Sequence, residues 1–428
     1  MIVDRRALRE AVLGKGLMDD AFYVANYGER IPPGEPAIDH YVRVGHDQGY
    51  APCAAFDPVL HEVMHGPTPP SEWPDRAQAE AAPPPVAEIF PNLDLKVAFF
   101  SSRPGRELTE NIREMIDNPT RAVELPTDVG VYNFHNPASS DLFATIEAGR
   151  PFSFVRIPHG FWDCSSALDR LTGELENDPR TRTLSDAHRR ALAIRLLAVG
   201  SPDNGNFAGD YIDTILDDLR HHPRDPDLLT GIAFKGYPTY EDSAFGQGPP
   251  TPANLTRTKD FTQLFSPHDR LYDATVWKRW ALLGGLRRLP QVLRGRPLIL
   301  VAQAFFGVLA ERLQLPQLVM VDVPGQKTQL IRRQVLARIE AAIEAQLDQA
   351  PDRPPVVLFQ CGASIAYWFI LRLRARFPQA TYLDIGQALN IWCIDLTGER
   401  HLWVRIYYSR FSEACGTGRA GLALPDQA

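Results

Sequence analysis

The chain has 428 residues, of which 44% are hydrophobic and 23% are charged. This composition is typical of a globular protein with about two or three domains. Its 45 basic and 52 acidic residues give a formal net charge of −7. A general nucleic-acid-binding protein needs a broad basic face, so this charge balance argues against nucleic acid as a partner.

The sequence has no apolar run of the ~18 residues that a membrane-spanning helix requires. Charged residues near its start, such as Asp4 and Arg5, occupy the place of a signal peptide's apolar segment. The five cysteines are scattered without CxxC spacing, which disfavours a disulfide framework or a structural zinc site. These features predict a reduced, cytoplasmic protein.

The N-terminal part of the chain differs in composition from the rest. Residues 1–65 are rich in aromatic side chains and predict a small, mainly helical module, which buries too little core to be stable alone. Residues 66–92 are rich in Pro and Ala and predict an extended, semi-rigid linker. We therefore expect the main domain to occupy residues 93–428.

Short apolar runs alternate with helical patterns after the linker. The predicted strands are Leu95–Phe100, Phe152–Ile157, Leu298–Val301, Leu318–Val321, Val356–Phe359 and Thr381–Leu383, with an edge strand at Leu402–Tyr408. Helices are predicted over Leu142–Ala148, from Ser185 to Val199 and over Thr328–Gln349. This alternation predicts an α/β domain whose mostly parallel sheet carries helices on both faces. Gly236–Asp273 lacks periodicity and predicts an active-site flap or a disordered loop.

Ligands of open α/β sheets bind beyond the carboxyl ends of the strands, so the residues there are the first site candidates. Gln303, Asp322, Gln360–Ser364 and Asp384–Gly386 each follow a predicted strand. In Gln360–Ser364, the turn at Gly362 and Ser364 at the next helix start favour phosphate binding by backbone N–H groups. The alternative is an ordinary turn with a helix cap. The absence of a full Walker motif and of GxGxxG disfavours a P-loop NTPase or a dinucleotide-dependent enzyme.

The segment from Arg156 to Asp163 carries the densest chemistry. Arg156 and His159 are suited to binding phosphate, Asp163 to acting as a general base, and Trp162 to stacking on a sugar or nucleobase. The alternative is a structural ion pair between Arg156 and Asp163 under a buried Trp162. Gly160 lies in the same run.

Two charged clusters favour structural interpretations. Trp277–Arg296 holds six basic residues and no acidic one; it would suit a diphosphate or an anionic membrane surface, but a solvated helix face is the favoured interpretation. His221 and His222 follow Asp217 and Asp218 without metal-ligand spacing, which predicts surface groups.

The main domain resembles the GT-D-type glycosyltransferases, over roughly 141–392. The family's motif F-S-[apolar]-[apolar]-R-F-G-D-G-E corresponds to Phe152–Phe161, and its later strand, turn, helix and D-[apolar]-G correspond to Val356–Ser364 and Asp384–Gly386. This resemblance implies a Rossmann-like sheet and an enzyme that uses a nucleotide sugar.

The resemblance also implies a divalent metal, Mn²⁺ or Mg²⁺, but the family's metal-binding acids fall at His159 and Phe161 here. Phe161 has no ligand atom. Either Asp163 or His159 has replaced the acids, or the chain works without metal and Arg156 neutralises the leaving diphosphate. A relative that binds but does not catalyse is the third alternative.

The N-terminal module resembles a repeat attached to bacterial polysaccharide-assembly glycosyltransferases. The family pattern H-Y-x-x-x-G-x-x-E-G-R-x-P corresponds to His40–Pro52, with Gln48 and Tyr50 in place of Glu and Arg, and F-D-P corresponds to Phe56–Pro58. Both parts of the chain therefore imply a glycosyltransferase that acts in polysaccharide assembly.

Together these features predict a glycosyltransferase with a nucleoside diphosphate sugar as donor and a surface-glycan, lipid-linked or protein acceptor. Peripheral contact with the inner membrane face and self-association are further expectations. A non-catalytic nucleotide-binding scaffold is the main alternative. An esterase with an oxyanion loop at His159-Gly160 and Ser364 as nucleophile is disfavoured, because the GxSxG elbow is missing.

Overall fold

The computed structural model describes residues 4–81, 89–90, 93, 123–127, 129–135, 137–157, 159–200, 211–232, 262–274, 276–277, 280, 285–325, 327–393 and 396. The chain divides into two compact units. The first unit consists of Met1–Phe99, Asp163–Asp217 and Gln329–Ile331. The second unit consists of Phe100–Trp162, Asp218–Thr328 and Arg332–Ala428.

The described elements are as follows in chain order. The α-helices are α1 (Arg5–Gly14), α2 (Asp20–Tyr27), α3 (Ala37–His40), α4 (Pro58–His65), α5 (Arg76–Ala81), α6 (Ser139–Glu147), α7 (His159–Asn177), α8 (Asp186–Gly200), α9 (Tyr211–Arg220), α10 (Leu289–Leu293), α11 (Leu309–Arg312), α12 (Arg332–Gln349) and α13 (Ala363–Arg376). The strands are β1 (Val123–Thr127), β2 (Gly130–His135), β3 (Ser153–Ile157), β4 (Leu228–Ile232), β5 (Leu271–Asp273), β6 (Leu298–Ala302), β7 (Leu318–Asp322), β8 (Val356–Phe359) and β9 (Thr381–Asp384). Short 3₁₀ turns occupy Gly28–Arg30, Pro70–Glu72, Ala304–Val308, Thr328–Ile331 and Ala388–Trp392, and a π-helical turn occupies Tyr41–Gly45.

The second unit is built on one sheet with the strand order β1-β2-β5-β4-β3-β9-β8-β6-β7. Strands β1 and β2 form an antiparallel hairpin at one edge, and the eight strands from β2 to β7 in this order run parallel. Every residue of β3, β6, β8 and β9 is buried. Strands buried on both faces are typical of parallel sheets covered by helices. The predicted Rossmann-like α/β arrangement is therefore confirmed.

Five predicted strands are found, as β3, β6, β7, β8 and β9, with ends within one residue of the prediction. The predicted strands Leu95–Phe100 and Leu402–Tyr408 lie outside the described residues. Strands β1, β2, β4 and β5 were not predicted; β5 has only three residues, and β1 and β4 are interrupted by Pro126 and Gly231. Such runs carry too little periodicity to be recognised.

The predicted flap at Gly236–Asp273 is wrong at its end. Strand β5 (Leu271–Asp273) lies inside the sheet between β2 and β4 and is fully buried. Residues 236–261 of the flap lie outside the described residues. Three residues are too few for a strand to be predicted from alternation alone.

The three predicted helices are present as α6, α8 and α12. The segment Thr328–Gln349 begins as a 3₁₀ turn and continues as α12 from Arg332. Val335, Ile339 and Ile343 of α12 are buried at four-residue spacing, which is the apolar stripe of an amphipathic helix. No helix within the described ranges is both long enough and apolar enough to cross a membrane.

The first unit has its own aromatic core. Tyr23 and Tyr41 of the N-terminal helices are fully buried, and Trp73 packs with them. Asp57 caps α4 by accepting hydrogen bonds from Val59 N and Leu60 N, at 3.0 and 3.1 Å. Arg195 of α8 donates to the same carboxylate from Nη2 at 2.7 Å. The small N-terminal module thus gains a charged contact from helix α8.

The described part of the Pro-rich segment is not extended, contrary to the linker prediction. It contains the 3₁₀ turn Pro70–Glu72 and helix α5, and it places Trp73 and Ala79 in the core of the first unit. The units also differ from the predicted boundaries at 65 and 92, because Asp163–Asp217 groups with the N-terminal residues. The presence of a large apolar residue, Trp73, in the segment is a sequence signal against a solvated linker.

His222, which follows α9, ties together two elements of the second unit. Its Nδ1 lies 2.9 Å from the hydroxyl of Tyr367 on α13, and its Nε2 lies 2.7 Å from Thr230 Oγ1 on β4. Burial lowers the pKa of His222 to about 4; the charges of Arg224 and Arg374 add to this effect and Asp269 opposes it. The prediction of a surface group is therefore wrong for His222, whose ring is neutral at pH 7.

We expect this histidine to make the free energy of unfolding depend on pH. Between about pH 6.5 and pH 4 the unfolded chain binds a proton at position 222 and the folded chain does not. Stability is therefore fully present above pH 6.5 and falls by up to roughly 3 kcal/mol towards pH 4. Urea unfolding across this range should show a flatter profile for His222→Gln than for wild type. His268→Gln, at an exposed histidine, is the control and should keep the wild-type slope. Equal slopes in all three proteins would contradict the assignment.

Candidate functional site

The strand order of the second unit reverses between β3 and β9. From β3 the sheet continues through β4 and β5 on one side, whereas β9, β8, β6 and β7 lie on the other. All of these strands are parallel, so their carboxyl ends share one edge of the sheet. In open parallel sheets the crevice for a ligand forms at this edge, where the order reverses. The residues that end β3 and β9 are therefore the first to consider.

An ion pair joins β3 to β9 at this position. Arg156 Nε, on β3, lies 3.0 Å from Asp384 Oδ1, at the end of β9. The Arg156 side chain is 10% exposed and that of Asp384 is 1% exposed. Arg156 Nη1 also donates to the carbonyl oxygen of Ala274, at 3.4 Å. The guanidinium is thus held from two sides and keeps a small exposed area.

Two glycines make room for this arrangement. A Cβ at Gly386, whose φ is +56°, would lie 2.4 to 2.5 Å from three guanidinium atoms of Arg156. A Cβ at Gly231 of β4 would lie 2.9 Å from the Cα of Ala274. Gly231 therefore allows the backbone after β5 to approach β4 and to present the Ala274 carbonyl to Arg156. Gly386 was predicted as a site residue and lies in direct contact with this centre.

The two oxygens of Asp384 have different surroundings. Oδ1 faces Arg156 and accepts a hydrogen bond from Gly386 N at 3.0 Å, whereas Oδ2 is buried and has no hydrogen-bond partner among the described residues. Burial raises the pKa of Asp384 above its ordinary value, and Arg156 and the Gly386 amide oppose that rise. A buried carboxylate oxygen without a partner is costly, which makes this group a marker of a functional centre.

Cys361, directly after β8, lies within electrostatic range of the ion pair. Burial raises the pKa of its thiol well above the ordinary value; the charge of Asp384 adds to the rise and that of Arg156 opposes it. The thiol is therefore protonated at neutral pH, and a nucleophilic thiolate is disfavoured there.

Helix α13 begins at the carboxyl end of β8, the strand next to β9. Gly362 precedes it with φ +98°, a conformation that favours glycine, and Ser364 is buried in its first turn. Phosphate binding by the backbone N–H groups of Gln360–Ser364 stays a prediction, and the side chain of Gln360 has a structural contact. The Gln360 amide instead donates to Asn390 Oδ1 at 2.7 Å and accepts from Leu389 N at 3.2 Å. Gln360 thus fixes the 3₁₀ turn Ala388–Trp392.

Gln303 follows β6 and Asp322 ends β7 at the same edge of the sheet. Their strands lie two and three places from β9, which at ~4.8 Å per strand separates them from the ion pair by roughly 10 and 14 Å. Gln303 packs so closely on Gly325 that a Cβ there would lie 2.3 Å from its Nε2. The structure does not bring these two predicted residues into the Arg156 centre.

Helix α7 starts immediately after β3 and contains the other predicted residues. The side chains of His159, Gly160 and Asp163 lie outside the described part of the chain. Trp162 is 2% exposed and contacts the ring of Phe161 edge-on, with centroids 5.5 Å apart. Stacking of Trp162 on a bound base is therefore wrong as a prediction. The burial of Trp162 agrees with the alternative interpretation, whereas the ion pair that the structure describes joins Arg156 to Asp384.

The family's pair of metal-binding acids is not present in this chain. Phe161, at one of the family's two acidic positions, is apolar and 1% exposed. Among the residues that the structure describes, no three His, Cys, Asp or Glu side chains come together to hold a metal ion.

Sequence reasoning missed two contributors to this edge of the sheet. Asp273 is fully buried at the end of β5, opposite Ile232 of β4. The Ala274 carbonyl accepts a hydrogen bond from Arg156. The only sequence signal for Asp273 was its position directly after the apolar pair Leu271 and Tyr272. This signal was overlooked because β5 was predicted to be part of a loop. A backbone carbonyl leaves no signal in a sequence.

A scan against protein-family models and searches of curated proteins and of solved structures find no match for this chain.

The close approach of Gly386 to Arg156 can be tested with a matched pair of glycine variants. Gly386→Ala and Gly295→Ala both place a side chain at positive φ, but a Cβ at Gly295 meets no atom within 4 Å. Both should lose about 1 kcal/mol from the backbone conformation. Gly386→Ala should lose at least about 1 kcal/mol more in urea unfolding, because the guanidinium must leave Asp384. An equal loss in both variants would contradict the packing described here.

Proposed function

We propose that this protein is a glycosyltransferase that moves a sugar from a nucleoside diphosphate sugar to a surface-glycan, lipid-linked or protein acceptor. The observation that supports this proposal best is the buried Arg156–Asp384 pair at the switch point of a parallel sheet. The sequence resemblance to GT-D-type glycosyltransferases supplies the reaction class.

A buried ion pair is poor evidence for a purely structural role. Removing two charges from water costs several kcal/mol per ion, and well-packed apolar residues often stabilise the same position equally well. Here the pair lies at the edge where ligands of such sheets bind, and it leaves part of the guanidinium exposed. An anion-binding role explains both features.

The neighbouring helix start adds to the attraction for an anion. The first amides of α13, from Ala363 onward, lack carbonyl partners within the helix, and a helix N-terminus favours negative charge. Strand β8, which leads into α13, lies beside β9. A diphosphate between Arg156 and this helix start would meet charge and oriented N–H groups together.

Each residue has a distinct task in this proposal. Arg156 neutralises the charge that develops on the leaving diphosphate. Asp384 orients Arg156 through their ion pair. It is a positioning residue, because its side chain is only 1% exposed and is not accessible to a ligand. His159 and Asp163 stay the predicted candidates for the base that takes the proton of the acceptor hydroxyl. No step is assigned to a metal ion.

One observation favours a second candidate function, a nucleotide-binding scaffold without turnover. Phe161 is buried where the family carries an acid, so a group used by the family's enzymes is missing. The scaffold would bind the nucleotide at Arg156 and leave the sugar donor intact.

Binding can be tested with two variants that break the same ion pair. Arg156→Gln removes the guanidinium, whereas Asp384→Asn keeps it. We expect nucleoside diphosphates to shift the thermal midpoint of wild type, since a ligand at 100 times its Kd stabilises by about 2.7 kcal/mol. The shift should vanish in Arg156→Gln and persist, reduced, in Asp384→Asn. Folding of both variants is checked first by circular dichroism. Equal shifts in the two variants would remove Arg156 from the ligand site.

Turnover separates the enzyme from the scaffold. Incubation with nucleotide sugars, with and without Mn²⁺ or Mg²⁺, should release nucleoside diphosphate if the protein is a transferase. Asp163→Asn and His159→Gln should then keep nucleotide binding, and the variant that lacks the base should lose transfer by about 10²-fold or more. Nucleotide binding by wild type without consumption of any donor would favour the scaffold.

A further inference from the structure

A second pocket lies at the opposite edge of the sheet from the Arg156–Asp384 centre. It has a volume of about 290 Å³ and is lined by His222–Pro226, Leu228, Thr230, Phe265 and His268–Tyr272. Leu228 and Leu271 are the first residues of β4 and β5. Arg156 pairs in register with Gly231, three residues further along β4, so the pocket extends from the start of β4 towards the carboxyl end where the Arg156–Asp384 pair lies.

The floor of the pocket is neutral. Its histidine, His222, has a pKa lowered to about 4, and both ring nitrogens are hydrogen-bonded, to Tyr367 and Thr230. The walls are mostly apolar, with Phe265, Leu271 and Tyr272 as their largest members. Such a surface favours a flat, apolar ligand body.

Each acidic side chain of the pocket's lining forms an ion pair with an arginine. Asp269 pairs with Arg224 and also accepts from Ser266 N, at 2.8 Å. Asp225 pairs with Arg374 at 2.6 Å. Within the part of the chain described, these contacts leave both carboxylates neutralised.

Arg270 is the remaining cation of the rim. Its side chain is exposed, its guanidinium carbon lies 5.6 Å from the centre of the Tyr272 ring, and no carboxylate of the described residues pairs with it. An arginine held on an aromatic ring, beside an apolar cavity, presents its N–H groups to a planar acid.

The pocket is also held in shape before any ligand arrives. Tyr132 of β2 donates its hydroxyl proton to the Phe265 carbonyl at 2.6 Å, and the turn that follows is closed by Asp269 N donating to Ser266 O at 2.9 Å. A rigid wall lowers the entropy lost on binding.

We propose that this pocket binds a small aromatic carboxylate, with its ring between Phe265 and Tyr272 and its carboxylate at Arg270. The volume is at the lower end of the range for small-molecule sites, which suits a single ring with one acidic group. This site is independent of the function proposed for Arg156.

The test is a titration of 4-fluorobenzoate with the full-length chain, followed by fluorine NMR. We expect saturable binding to wild type and about tenfold weaker binding to Arg270→Gln, the size of one charged hydrogen bond. Arg353→Gln is the matched control: Arg353 is exposed, its guanidinium contacts only the Gly295 carbonyl at 3.5 Å among the described residues, and it is absent from the pocket lining. It should bind as wild type does.

A neutral probe of the same shape completes the experiment. 4-Fluorobenzamide should bind to wild type about tenfold more weakly than 4-fluorobenzoate does. The two probes should bind to Arg270→Gln with equal affinity. The proposal is overturned by absence of saturable binding to wild type, by equal affinity of Arg270→Gln and wild type, or by equal loss in Arg270→Gln and Arg353→Gln.

Discussion

The Arg156–Asp384 ion pair joins the two halves of the parallel sheet at the point where the strand order reverses. Arg156 comes from β3, whose chain continues towards β4 and β5, and Asp384 ends β9, on the other half. The pair requires glycine at position 386 for space, and Gly231 brings the Ala274 carbonyl within reach. Several elements of the second unit are thus constrained by one guanidinium, because a buried charge tolerates few arrangements.

The sheet also separates two chemically different edges. The carboxyl edge holds a charged centre with a buried carboxylate and the start of helix α13. The amino edge holds a largely apolar pocket, and Arg270 of its lining pairs with no carboxylate of the described residues. Parallel strands make this division possible, since every strand contributes its end to the same edge.

Sequence reasoning found Arg156, Asp384 and Gly386 but not how they act together. Each follows or ends an apolar run, and runs such as Val356–Phe359 are recognisable because strands buried on both faces are continuously apolar. It did not foresee that the Gln360 amide holds an internal turn, and it took the buried Trp162 for a stacking residue. A polar or aromatic residue after a strand has the same sequence signature whether it meets a ligand or the protein's own core.

The sequence by itself determined the class of the fold, the helices α6, α8 and α12 and five of the strands, since these depend on local periodicity and apolar content. Tertiary structure alone decided that Leu271–Asp273 is a central strand, that Trp73 belongs to a core and that Arg156 pairs with Asp384. The two partners of that pair are 228 positions apart (384 − 156). No local pattern encodes such a contact, because it forms only when the strand order brings β3 beside β9.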